Sequence, residues 1–158
     1  TGIRQCLEEH GLPEDHLEIL STSRKEFAKY PGDRAEYQNG YDRTIEALQN
    51  GTASTAFIGN NDMTALGIMD AITKLGYKIP FDYSVCGFDN IPLASMKQIS
   101  LTTIEHATVQ KGHEAVDLIH KKHSQDHSGR QPSYTVRLEY EPQLIVRNST
   151  GKCRKNLR

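Results

Sequence analysis

Residues 55–90, TAFIGNNDMTALGIMDAITKLGYKIPFDYSVCGFDN, leave few architectures open to this chain. Positions 55–59 are short, apolar and partly β-branched, which suits a buried strand. Asn60, Asn61 and Asp62 follow, all suited to a turn and a helix N-cap. Ala65, Ile68, Met69, Ile72 and Leu75 then recur at helical spacing, and Gly76 is placed to end the helix. Pro80 bars further helix, and 84–88 is a second apolar strand. Strand, helix and strand in this order predict a right-handed crossover in a parallel sheet. In open α/β sheets the ligand crevice lies outside the carboxyl ends of the strands. Asn61 and Asp89 follow the two strands and fall at that end, with Asp62 read as the cap.

A chain of 158 residues has core enough for one domain. Its 19 Lys+Arg against 20 Asp+Glu give no general pull toward nucleic acid. Cys6, Cys86 and Cys153 are odd in number and far apart, which argues for a reducing compartment and against a disulfide framework. No apolar run approaches the roughly 20 residues that span a bilayer, and no signal peptide is seen. The chain opens on Thr1 without Met, so a segment upstream is expected.

Taken in order, residues 2–10 read as a helix with Ile3, Cys6, Leu7 and His10 on one face, stopped by Gly11. A short strand is expected at 17–20, then an irregular polar stretch over 21–38 with a turn at Pro31-Gly32-Asp33. A helix over 39–50 buries Tyr41, Ile45 and Leu48. After Asp89, a short helical piece reaches Lys97, and 101–105 is extended. Residues 109–123 form an amphipathic helix with Val109, Gly112, Val116 and Ile119 inward. A mobile loop at 124–133 leads to a half-exposed strand in which Tyr134, Val136 and Leu138 alternate. Residues 144–146 read as a buried strand and 152–158 as a disordered basic tail.

Four motifs then carry a resemblance. Thr55-Ala56-Phe57, Asn61-Asp62 and Ala65-Leu66-Gly67 resemble the "TA…ND…ALG" signature of bacterial sugar-responsive repressors, the lactose-repressor/galactose-repressor (LacI/GalR) family. Residues 79–89, IPFDYSVCGFD, are similar to its "VPxDxSVxGFDD". Leu101-Thr102-Thr103-Ile104 resembles its "LTT[IV]". Glu141-Pro142-x-Leu144-Ile145-Val146-Arg147-x-Ser149 resembles its closing "PxLxxRxS". Each alone is weak; four in order over residues 40–149 are specific.

The resemblance implies an α/β, periplasmic-binding-protein-like fold in which two lobes clasp a small molecule. This chain would be mostly the C-terminal lobe, a parallel sheet flanked by helices. Residues 1–105 would form that lobe, its first strand lying upstream. Residues 106–133 would pack on the N-terminal lobe, 134–150 would supply closing strands, and 151–158 the tail. The implied partners are a sugar-like effector, a second copy of the chain, and DNA through an upstream headpiece absent here. The implied location is the cytoplasm, with no membrane contact, no enzymatic activity and no cofactor.

The implied effector contacts are Asn61, Asp89 and one of Arg34 and Ala35, the two nearest the family's aromatic position; His106, following the extended segment at 101–105, is a further candidate at the cleft. Ionised Asp89 is acceptor-only and suits sugar hydroxyls, while Asn61 offers both a donor and an acceptor. Against this stand helix capping for Asn61 and a plain turn role for Asp89. Leu66, Ile68, Met69, Ile91, Leu93 and Met96 are the implied dimer surface, though Ile68 and Met69 at that spacing also fit a core. His120, His123 and His127 have helical spacing, but two lysines lie among them and they read as a solvated face rather than a metal site. Two other functions remain open: a sugar-binding protein of an ABC transporter, and an α/β enzyme. The enzyme reading lacks a nucleophile motif and a Gly-rich phosphate loop.

Overall fold

A computed structural model describes residues 2–30, 32–125 and 135–153. The parallel crossover is present: strand β1 (Ala56–Ile58), helix α4 (Asp62–Lys74) and strand β2 (Ser84–Cys86) follow in order. Three helices precede them, α1 (Gly2–Glu9), α2 (Arg24–Phe27) and α3 (Ala35–Gln49). Strand β3 (Thr103–Glu105), helix α5 (Thr108–Gln125) and strand β4 (Gln143–Ile145) follow. β1 and β2 pair in parallel with Phe57 opposite Val85, and β3 and β4 pair antiparallel with Ile104 opposite Leu144.

The two ladders are joined along β2. Cys86 bridges Thr102 in parallel, and the Gly87 and Asp89 N–H groups donate to the Thr102 and Ile104 carbonyls, each at 2.9 Å. Where β2 and β3 diverge, buried Ser149 fills the gap. Its hydroxyl donates to the Val85 carbonyl at 2.7 Å and accepts from the Thr102 N–H at 2.7 Å. One hydroxyl thus satisfies a donor and an acceptor that would otherwise be buried without partners.

The core lies between this sheet and α3–α4. Phe57 and Val85 from the strands meet Ala65, Ile68 and Ile72 of α4, Leu48 of α3, and Leu101. α3 and α4 approach closely because two glycines face across the contact. A Cβ at Gly40 would strike the Thr64 carbonyl, and one at Gly67 the Tyr37 carbonyl.

Several expectations need correction. The helix predicted at 39–50, with 36–38 as an extension of its start, begins at Ala35, straight after a 3-10 turn at Gly32–Arg34, and of its expected stripe only Leu48 is buried while Tyr41 and Ile45 are half-buried. The stretch 21–38 is not wholly irregular. Ser23 accepts from the Glu26 N–H at 3.2 Å and the Glu26 carboxylate accepts from the Ser23 N–H at 3.0 Å, a capping box that opens α2. Residues 17–20 and 135–142 form no strand. In β4, Leu144 is 61% exposed rather than buried. The expected inward face of α5 is open, since no described element covers it, and Ile119 is 68% exposed. The loop expected at 124–133 and the tail expected at 152–158 fall largely outside the described residues, and Pro31 and Tyr134 lie outside them.

Candidate functional site at the strand ends

The turns leaving β1, β2 and β3 meet at one end of the sheet. Asp62 joins them. Its N–H donates to the Phe88 carbonyl at 2.8 Å, its Oδ2 accepts from the Ile91 N–H at 2.8 Å, and its Oδ1 accepts from the Thr103 hydroxyl at 2.5 Å. It is fully buried. Asp62 is therefore not the helix cap expected from the sequence. The cap is Asn61, in extended backbone, whose Oδ1 accepts from the Thr64 N–H at 2.8 Å. Helix capping thus occupies the Asn61 acceptor, and its amide nitrogen is left to donate elsewhere.

Asp89 stands at the open end of β2 with its side chain 40% exposed. Its Oδ1 lies 3.1 Å from His106 Nε2. The imidazole stacks on Phe88, ring centres 5.0 Å apart and planes at 25°. His106 Nδ1 in turn faces Lys111 Nζ at 3.0 Å. So the sequence-predicted pair Asp89 and His106 does meet, and α5 contributes a third member.

A second network lies beside the first. Asn90 Nδ2 donates to Glu105 Oε2 at 3.0 Å, and Asn90 Oδ1 accepts from Arg147 at 2.7 Å. The Asn90 amide, with help from the Ala107 N–H, holds the Glu105 carboxyl below the usual carboxylate range. Arg147 also donates to the Leu101 carbonyl at 2.7 Å. Asp89 (φ 109°), Asn90 (φ 52°) and Ala107 (φ 57°) all hold left-handed backbone, and each costs of order 1–3 kcal/mol that these hydrogen bonds help offset. Backbone strain of this kind concentrates where side chains must be aimed.

Arg34 ends the 3-10 turn before α3, where its charge acts on Tyr37. No contact joins it to Asp89 or His106 among the described residues. Ile68 is 5% exposed and belongs to the core, so it leaves the expected dimer surface; Met69 and Ile91 pack against that core. Leu66 is half-buried, and Leu93 and Met96 are 41% and 52% exposed. His120 and His123 lie on α5, His127 lies outside the described residues, and no group of three or more metal-ligating side chains gathers among those described. Nor is any described helix long and apolar enough to cross a membrane.

Sequence reasoning gave no role to Glu105, Lys111 or Arg147. Arg147 and Ser149 stood in the closing "PxLxxRxS" motif, and their spacing was the available signal. Lys111 had none, because its link to His106 depends on how α5 leaves β3.

Comparison with known proteins shows the family and the fold. The periplasmic binding protein-like domain model matches residues 1–150. The chain is 36% identical over 115 residues to the HTH-type transcriptional repressor PurR of Glaesserella parasuis, covering 71% of this chain and 33% of that protein. It is 30% identical over 150 residues to the HTH-type transcriptional regulator DegA of Bacillus subtilis, covering 95% and 40%. A LacI family transcriptional regulator from Enterococcus faecium, solved with bound ribose, superposes with TM-score 0.74 at 27% identity, covering 94% of this chain and 49% of that one. The chain thus spans about a third to a half of the length of these relatives. The chain belongs to the periplasmic binding protein-like domain family, in the form carried by LacI-type regulators.

Proposed function

We propose that this chain is the ligand-sensing and dimerising part of a bacterial DNA-binding transcriptional regulator that responds to a small, hydroxyl-rich effector of the sugar class. The observation that carries the reading is Asp89, a half-buried carboxylate held in strained backbone at the strand ends and buttressed by His106. It can only accept hydrogen bonds, so it selects a ligand that donates them, as hydroxyls do. Each such charged hydrogen bond contributes about 1.5–3 kcal/mol, enough for a few to separate one sugar epimer from another. Asn61 adds an amide donor, His106 shapes the wall, and Arg34 at the start of α3 closes the same end of the domain. The relatives' names support a regulator over a transporter's binding protein or an α/β enzyme.

DNA would be read by a headpiece outside this chain, in the cytoplasm. Leu66, Met69, Ile91, Leu93 and Met96 would supply a two-fold contact, which suits an operator of two half-sites. Residues 106–133 would lie against a second lobe. The effector would act by favouring one arrangement of the lobes.

A thermal-shift series with D-ribose, other pentoses, hexoses and nucleobases tests this. One member is expected to raise the melting temperature; a ligand at 100 times its Kd adds about 2.7 kcal/mol. Asp89→Ala should stay folded, though it loses the bond to His106 at a left-handed position, and relative to its own ligand-free melting temperature it should show no response. A flat series, or an Asp89→Ala protein that responds fully, would overturn the assignment.

A further inference from the structure

The line of atoms running from α5 to Asp89 has only one consistent assignment of protons. Lys111 Nζ is a donor with no lone pair, so at 3.0 Å it must donate to His106 Nδ1. Nδ1 is then an acceptor and carries no proton. The neutral ring's one N–H is therefore on Nε2, which points at Asp89 Oδ1 at 3.1 Å. Asp89 Oδ2 carries no hydrogen bond among the described residues. Lys111 is held in turn, its Nζ lying 5.4 Å from the centre of the Tyr140 ring, whose hydroxyl donates to Glu114 one helical turn along α5.

We infer that Lys111 is a positioning residue that locks His106 as the neutral Nε2–H tautomer, so that the imidazole engages one oxygen of Asp89 and leaves the other for the ligand. This rests on reading Asp89 as an effector contact. The groups facing His106 are Asp89 from the turn after β2, Phe88 stacked beneath it, Glu105 from β3, and Thr108 and Lys111 from α5. The two carboxylates favour a charged ring. Only Lys111 opposes one, because an imidazolium Nδ1–H would turn a donor toward its ammonium.

Long-range 1H–15N NMR of the uniformly labelled chain reads the tautomer directly. At neutral pH the parent should show an unprotonated Nδ1 and a protonated Nε2 at His106. Lys111→Arg keeps a donor-only group and should preserve that pattern. Lys111→Met removes the donor, so Nδ1 is no longer held unprotonated and the Nδ1–H tautomer should appear at His106. An Nδ1–H tautomer in the parent, or a tautomer indifferent to Lys111→Met, would overturn the inference. The spectra need no ligand, so a failed sugar titration and a failed tautomer assignment remain separate results.

Discussion

Asp62 is fully buried, yet both of its oxygens are matched to donors, the Ile91 N–H and the Thr103 hydroxyl. There is no slack around it: a Cβ at Gly87 would collide with Oδ1. Removing the carboxylate leaves two donors unpaired in a dry interior, each costing about 1–3 kcal/mol. Asp62→Ala is therefore expected to lower unfolding stability by about 3 kcal/mol, read as a shift of the urea midpoint at constant slope. Asp62→Asn should fall between: its oxygen can still accept from the Ile91 N–H and its amide can donate to the Thr103 hydroxyl, but the charge-assisted bonds are lost. A midpoint within error of the parent would reject the keystone role. From the sequence, Asp62 was read as the cap and Asn61 as a contact; the N-cap residue is the one in extended backbone, Asn61, and only coordinates reveal that.

Among the elements, α3 and α4 were legible from period and Gly stops, since each buries a stripe, α4 against the sheet and α3 chiefly against α4. The contact between them also carries a polar tie, Tyr37 Oη donating to Asp70 Oδ2 at 2.6 Å. Loss of hydration, then the bond to Asp70, pushes the Tyr37 phenol up to about 12. A raised value means the folded state holds the proton more tightly. The tie is thus whole below the unfolded phenol's pKa of about 10 and is lost as pH climbs through about 12. Tyr37→Phe should remove one component of the alkaline decline in stability, measured by denaturant midpoints across that range beside phenolate absorbance. Equal declines in parent and variant would sink the claim. The pairing escaped notice because the two residues are 33 positions apart and neither belongs to a motif.

At the scale of the molecule, the least covered surface is α5. Val109, Val116 and Ile119 are 76%, 64% and 68% exposed on one face, and Leu144 and Val146 are 61% and 69% exposed on and beside β4. Unmatched apolar stripes of this size drive association in water. Under the two-lobe reading a second lobe would cover them. The 158-residue chain by itself is expected to self-associate through this stripe and to bind a hydrophobic dye. Val116→Glu with Ile119→Glu should lower both the sedimentation coefficient at high concentration and the dye fluorescence. Neither side chain is in the core, so the melting temperature should hold. Unchanged sedimentation would show that the stripe is not what brings copies together.

Local chemistry alone specified the strand–helix–strand unit, its parallel sense and the end at which a polar site opens. These follow from side-chain period, Gly and Pro stops and the handedness of crossovers, all written within a few dozen consecutive residues. The same rules misjudged α5, since periodicity says which face is apolar but not whether anything covers it. Which of three neighbouring polar residues caps, which is buried, and how Lys111, His106, Arg147 and Ser149 reach the turn after β2 were settled by the fold alone. Those contacts join residues 5 to 64 positions apart, and a hydrogen bond across such a distance exists only once the sheet has brought its partners within about 3 Å.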